Sequence, residues 1–155
     1  MIDEFAREYI RKHGVIEDIH QSYYITQKQC EREDHKQIGV DIQVTDSPVP
    51  LAMIYAIAID NPKPGSRGVE CWKEYFSLIL TRHYNIIFHL HPFESNVEDG
   101  VRPALHLDSE WRKERDIILP YVFKLFPPDH FVDVSIQNVD RRIDYCIEII
   151  KEFCK

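Results

Sequence analysis

The stretch IIFHLHPF at residues 86–93 indicates the fold class of this 155-residue chain and its candidate functional site. Its β-branched and aromatic residues are typical of strands, and the run is shorter than a typical helix. Because successive side chains of a strand point to opposite faces, His89 and His91 are expected on one face. Phe88 and Leu90 then point to the other face, where we expect them to anchor the strand in the core.

Four segments upstream of this stretch favour further strands. Residues 38–45 alternate between apolar and polar side chains, which is typical of a half-buried strand. Residues 51–59 are apolar on both faces and predict a central strand, whereas residues 15–29 mix β-branched and aromatic residues. Residues 69–82 fit a helix or a strand. We favour a strand from Tyr75, because a short turn would then form a hairpin with residues 86–93.

Both ends of the chain predict helices. Apolar residues at helical spacing precede Gly14, a typical stop signal. The tail from Val132 carries a longer apolar stripe, formed by Ile136, Val139, Ile143, Cys146, Ile147, Ile150 and Phe153. We expect this C-terminal helix to pack across the sheet, with Arg141, Arg142, Glu148 and Lys151 outside.

The chain has no internal repeat or long linker, which predicts a single α+β domain over residues 1–155. The expected fold is a mainly antiparallel sheet of about five or six strands with an N-terminal helix and a long C-terminal helix. No apolar run approaches the roughly 18 residues needed to span a bilayer, so we expect no membrane partner. The first residues lack the basic and apolar regions of an export signal, which predicts a cytoplasmic location.

The net charge of −7 restricts the possible partners. Proteins that hold nucleic acid by its phosphates usually present a basic face. This chain cannot do so over its whole surface. An RNA substrate would have to meet a focused basic patch, to which a homodimer could contribute.

A second histidine segment, ALHLD at residues 104–108, repeats the alternation of the first. His106 and Asp108 share one face, and the loop over 92–103 is long enough to return the chain alongside residues 86–91. If the two segments pair, three imidazoles and one carboxylate converge on one surface.

Such a cluster is compatible with three interpretations. His89, His91 and His106 could act as general acid and base in metal-free cleavage of a phosphodiester, with Asp108 orienting an imidazole and Arg102 binding phosphate. The same three histidines, or two of them with the carboxylate, could instead hold a divalent metal such as Zn, Mn or Fe. In the third interpretation the histidines are tolerated on the solvent-facing side of a strand and have no chemical role.

Two residues near the cluster could contact a substrate. His83 follows Arg82 at the proposed turn and could join the site. Trp111 follows the second histidine segment and could stack on a nucleobase. A turn histidine is usually only exposed, and a lone tryptophan more often packs in a core.

The segments YFSL (75–78), IFHLHPF (87–93) and RPALHLD (102–108) are similar to TumE-type toxins of prokaryotic toxin–antitoxin systems. Those toxins carry an aromatic-rich β-hairpin, a loop with His and Pro, and a further His segment. The resemblance covers roughly residues 75–110, and the chain lacks the His-His and His-x-x-His runs of that family. It implies a toxin that acts on RNA or translation and is paired with an antitoxin protein.

The leading hypothesis is therefore a small hydrolase, an endoribonuclease-like toxin that uses His89, His91, His106 and Asp108. This form of the hypothesis needs no cofactor. A non-catalytic interaction protein and a metal-dependent enzyme are the alternatives.

Overall fold

The computed structural model describes residues 1–16, 18–35, 39–59, 67–91 and 109–155, without the side chains of 58, 59, 67–70, 109–112, 114 and 115. The described residues form six helices and two strands. The helices are α1 Phe5–His13, α2 Ile19–Asp34, α3 Val49–Ile59, α4 Arg67–Leu80, α5 Ser109–Leu125 and α6 Val139–Phe153, and the strands are β1 Ile86–Leu90 and β2 His130–Val134. Since the two strands are parallel and helices predominate, the predicted antiparallel sheet of five or six strands is wrong.

The described residues fall into two compact units. The first unit takes the residues up to His83 and residues 109–126, and it contains α1 to α5. The second unit takes residues 84–91 and 127–155, and it contains β1, β2 and α6. Whether the chain is one domain stays a prediction.

In the first unit, α2 replaces the strand predicted over residues 15–29. The buried residues Ile19, Ser22 and Thr26 follow helical spacing, and the Asp18 side chain caps the helix by accepting a hydrogen bond from the backbone N–H of Gln21 at 2.8 Å. β-branched and aromatic residues lower helix propensity by less than about 0.7 kcal/mol each. Burial of one helix face outweighs that cost.

The strands predicted over 51–59 and from Tyr75 are also wrong, because both segments lie in helices. α3 is apolar all round, and the periodicity of such a run does not distinguish a helix from a buried strand. α4 buries Trp72, Tyr75 and Ile79 at helical spacing. The Tyr75 hydroxyl and Thr26 Oγ1 form a buried hydrogen bond of 2.7 Å that joins α4 to α2.

Residues 39–44 form no strand, although their apolar and polar residues alternate. Val40, Ile42 and Val44 are each about half-exposed. The apolar side chains of this segment therefore do not pack into a core as those of a half-buried strand would. An isolated parallel bridge joins Ile2 to Thr45.

In the second unit, β1 confirms the strand predicted over 86–93 for residues 86–90, and β1 pairs with β2 in parallel. The hairpin with residues 75–82 is wrong because that segment belongs to α4 and the turn after it. Leu90 is half-exposed, so it does not anchor β1 as expected; Ile87 and Val134 are the buried residues of the two strands.

Helices at both ends of the chain are confirmed. The C-terminal helix begins at Val139 rather than near Val132, and the Asn138 side chain caps it by accepting from the backbone N–H of Arg141 at 3.0 Å. Its packing differs from the prediction, because much of the apolar stripe is exposed while Arg142, expected outside, is buried. Within the described part of the chain, no helix combines the length and apolar character needed to cross a membrane.

Candidate functional site

The parallel register of β1 and β2 places His89 directly opposite Asp133. Partner residues of neighbouring strands project to the same side of the sheet. His91 comes one residue after β1 on the side of His89, and its backbone N–H donates to the Val134 carbonyl at 3.0 Å. The pairing therefore continues far enough to hold both imidazoles beside the carboxylate of β2.

Both imidazoles contact the same carboxylate oxygen. His89 Nδ1 lies 2.7 Å from Asp133 Oδ1, and His91 Nε2 lies 2.8 Å from it. The two rings are close to each other, with centroids 4.9 Å apart. The side chains of His89, His91 and Asp133 are 26%, 41% and 57% exposed, so a solvent-borne ion or substrate can reach the group.

These contacts determine which ring nitrogens carry protons. A carboxylate oxygen only accepts hydrogen bonds, so His89 donates from Nδ1–H and His91 from Nε2–H. When a ring is neutral, its other nitrogen is a proton acceptor: Nε2 of His89 and Nδ1 of His91. The hydrogen bonds from His91 and His89 hold the pKa of Asp133 below its usual value, and the group is ionised at neutral pH.

Two further side chains support this arrangement. Arg142 of α6 is only 6% exposed and donates from Nη1 to the His91 carbonyl at 2.9 Å and from Nε to the Ile136 carbonyl at 2.6 Å. It thereby links the ends of β1 and β2 through their backbone. Phe131, two residues before Asp133, stacks on the His89 ring with centroids 6.0 Å apart.

His89, His91 and Asp133 could also hold a metal ion, because one potential ligand atom from each lies within 4.8 Å of the others. Two histidines and one carboxylate suit zinc or a redox-active ion such as iron. Binding of a metal ion at these three atoms would displace the two protons through which the imidazoles contact Asp133 Oδ1.

The structure brings together only part of the predicted site. His89 and His91 are adjacent, whereas Arg102, His106 and Asp108 lie outside the described residues, so their convergence stays a prediction. His83 belongs to the first unit, and the side chain of Trp111 is not among those that the structure describes. The roles of both in substrate binding stay predictions.

Asp133 was not predicted as a site residue. It provides the kind of contact expected of Asp108, a carboxylate that orients an imidazole. The alternation in HFVDV at residues 130–134 is the signal of a strand that places Asp133 and Phe131 on one face. The helical stripe that follows it obscured this signal.

No protein-family model matches the sequence, and neither a curated protein nor a solved structure is significantly similar to it. The resemblance to TumE-type toxins stays a prediction.

Proposed function

We propose that the chain is a small hydrolase that cleaves phosphodiester bonds of RNA, with His89 and His91 as an acid–base pair. The observation that supports this proposal is the single Asp133 oxygen that both imidazoles contact, at 2.7 and 2.8 Å. The carboxylate orients both rings and balances the charge of one imidazolium. A neutral ring beside a protonated ring is the starting state that acid–base cleavage needs.

In this reaction the neutral imidazole removes the proton of a ribose 2′-hydroxyl, whose oxygen attacks the adjacent phosphorus. The bond from phosphorus to the 5′-oxygen breaks, and the imidazolium donates its proton to that oxygen. The products are a 2′,3′-cyclic phosphate and a 5′-hydroxyl, and the two rings have exchanged protonation states. Asp133 stabilises whichever ring is positive.

Cleavage of a fluorescent RNA oligonucleotide by wild type and by single variants tests the proposal. We expect His89→Ala and His91→Ala to lower the rate by about 10²- to 10⁴-fold, the usual contribution of a general acid or base. His20→Ala is the matched control, because His20 is an exposed histidine of α2 in the first unit. Equal rates in all four proteins would exclude an acid–base role for these histidines.

A metal-dependent hydrolase is the second candidate, favoured by the close grouping of His89, His91 and Asp133. A bound Zn²⁺ or Mn²⁺ would supply an activated water and positive charge toward a phosphate. The chain's own three residues would hold the ion and leave a coordination position open. A bound cation would also offset part of the chain's net charge of −7.

Isothermal titration with ZnCl₂ and MnCl₂ separates the two candidates. The metal-dependent candidate requires one ion per chain, and affinity should fall at least about tenfold in His91→Ala and Asp133→Asn. RNA cleavage in the presence of EDTA then decides the mechanism: the metal-free reaction continues, whereas the metal-dependent reaction stops.

The toxin role, with an antitoxin protein as partner and a cytoplasmic location, is part of the same proposal and is supported by the sequence resemblance alone. Induced expression in a bacterial host tests it. Wild type should arrest growth, a His89→Ala, His91→Ala double variant should not, and co-expression of a neighbouring antitoxin gene should restore growth. Unimpaired growth with wild type would contradict the toxin role and leave the hydrolase proposal to the cleavage assay.

A further inference from the structure

The C-terminal helix α6 carries an apolar stripe that the second unit does not cover. Val139, Ile143 and Ile147 are 52%, 51% and 43% exposed, and they repeat every four residues. At about 100° per residue, these three and Ile150 occupy roughly 80° of the helix surface. Single exposed apolar residues are ordinary, but a continuous stripe along a helix is typical of a docking surface.

The opposite edge of the apolar face of α6 packs against other residues of the second unit. Arg142 is buried on that edge, and Phe153 packs on the ring of His130 with centroids 3.9 Å apart. Cys146 lies between these two residues and is half-buried. The helix therefore contacts its own unit along one edge and leaves the neighbouring stripe open to solvent.

Charged residues next to the open stripe are separated by sign along the helix. Asp140 and Asp144 lie in its N-terminal half, and Lys151 lies in its C-terminal half within the same roughly 40° of surface. Glu148 lies farther round the helix, and its contact with Lys151 at 3.4 Å is fully on the surface. The surface beside the stripe is therefore acidic toward the N-terminus of the helix and basic toward its C-terminus.

We infer that α6 docks antiparallel on α6 of a second copy of this chain, stripe against stripe. A two-fold axis near Ile147 places Ile143 of one copy beside Ile150 of the partner. The same axis brings Asp144 of each copy to the level of Lys151 of the partner, so the separated charges become complementary. In the antiparallel arrangement the two helix dipoles also point in opposite directions, which is electrostatically favourable.

The size of the surface predicts the strength of the dimer. A helix of 15 residues is about 22 Å long, and one helix face on each side is a small interface. We therefore expect a reversible dimer with a dissociation constant in the micromolar range. Because Arg142 of the same helix donates to the His91 carbonyl, the dimer helix is directly connected to the candidate site.

Size-exclusion chromatography with light scattering on the full chain, from about 1 to 200 μM, tests the inference. Wild type should approach twice the 18.4 kDa mass of one chain at the upper concentrations. Ile143→Lys should weaken the dimer at least about tenfold, because it places a charge in the centre of the stripe. Ile117→Lys is the matched control, since Ile117 is 66% exposed on α5 of the first unit and should leave the mass unchanged.

A charge exchange tests the antiparallel register. Asp144→Lys alone and Lys151→Asp alone should each weaken the dimer, and the double variant Asp144→Lys, Lys151→Asp should recover most of the loss. A monomeric wild type at 200 μM, equal effects of the Ile143 and Ile117 variants, or a double variant weaker than both singles would each overturn the proposal.

Discussion

Arg142 donates a hydrogen bond from Nη1 to the backbone carbonyl of His91, 2.9 Å away and 51 residues earlier in the chain. A guanidinium that is almost fully buried thus holds the segment that carries one of the two site histidines. Its second hydrogen bond, from Nε to the Ile136 carbonyl, fixes the chain between β2 and α6. Hydrogen bonds from a charged donor to a buried acceptor are among the stronger ones in proteins.

Arg142→Ala should destabilise the protein by about 2–4 kcal/mol, because two carbonyl groups lose a charged donor. Arg142→Lys should cost less, since an ammonium can keep one of the two hydrogen bonds. Urea denaturation followed by circular dichroism measures both. Arg141→Ala, on the exposed neighbouring position, is the control and should change stability by less than about 0.5 kcal/mol. A small effect of both alanine variants would contradict the structural role of Arg142.

Asp133 should make stability depend on pH in the acid range. Its pKa is lower in the folded protein than in the unfolded chain, because His91 and His89 donate hydrogen bonds to the charged form. The stabilisation is therefore complete above the unfolded pKa, for which the ordinary value is 3.8, and is lost as the pH falls through the folded pKa.

Denaturation of wild type and Asp133→Asn at several pH values between about 6 and 2 measures this effect. The difference in unfolding free energy between the two proteins should shrink as the pH falls below 3.8, the ordinary value for this group. Asp41→Asn, at an exposed position, is the control for replacing a carboxylate by an amide. A difference that grows toward low pH would have the wrong sign for this hydrogen-bond arrangement.

The hydrogen bonds of Asp133 also predict the tautomers of both histidines. In neutral rings the proton should reside on Nδ1 of His89 and on Nε2 of His91, because these nitrogens face the carboxylate oxygen. Long-range ¹H–¹⁵N NMR spectra distinguish the two tautomers directly. Asp133→Ala should abolish the preference of His89 for Nδ1–H, and the exposed His20 should not change. Observation of Nε2–H at His89 in wild type would contradict the geometry.

Tyr75→Phe should destabilise the first unit by about 1 kcal/mol, since it removes a buried hydrogen bond of 2.7 Å to Thr26. The effect is modest because Thr26 Oγ1 keeps its bond to the Ser22 carbonyl at 2.9 Å. Tyr121→Phe is the matched control, because Tyr121 is exposed on α5. Equal stabilities of the two variants would show that the Tyr75 hydroxyl makes no net contribution.

Several helices were predicted as strands, and the reason differs from one to another. In α2 the β-branched and aromatic composition suggested a strand, but the buried positions Ile19, Ser22 and Thr26 follow helical spacing. In α3 all residues are apolar, so the sequence has no hydrophobic periodicity that distinguishes a helix from a strand. Its length of 11 residues favours a helix. Residues 39–44 alternate as a strand would, yet a strand also needs a neighbour that supplies hydrogen bonds.

The sequence by itself determined that His89 and His91 share one face, because alternation along a strand is a property of the local backbone. It also determined a helix at each end of the chain, through apolar spacing and stop signals. Only the tertiary structure decided that Asp133, 44 residues after His89, meets both imidazoles. Parallel pairing depends on hydrogen bonds between segments far apart in the chain, and no local pattern encodes which segments pair or in which register.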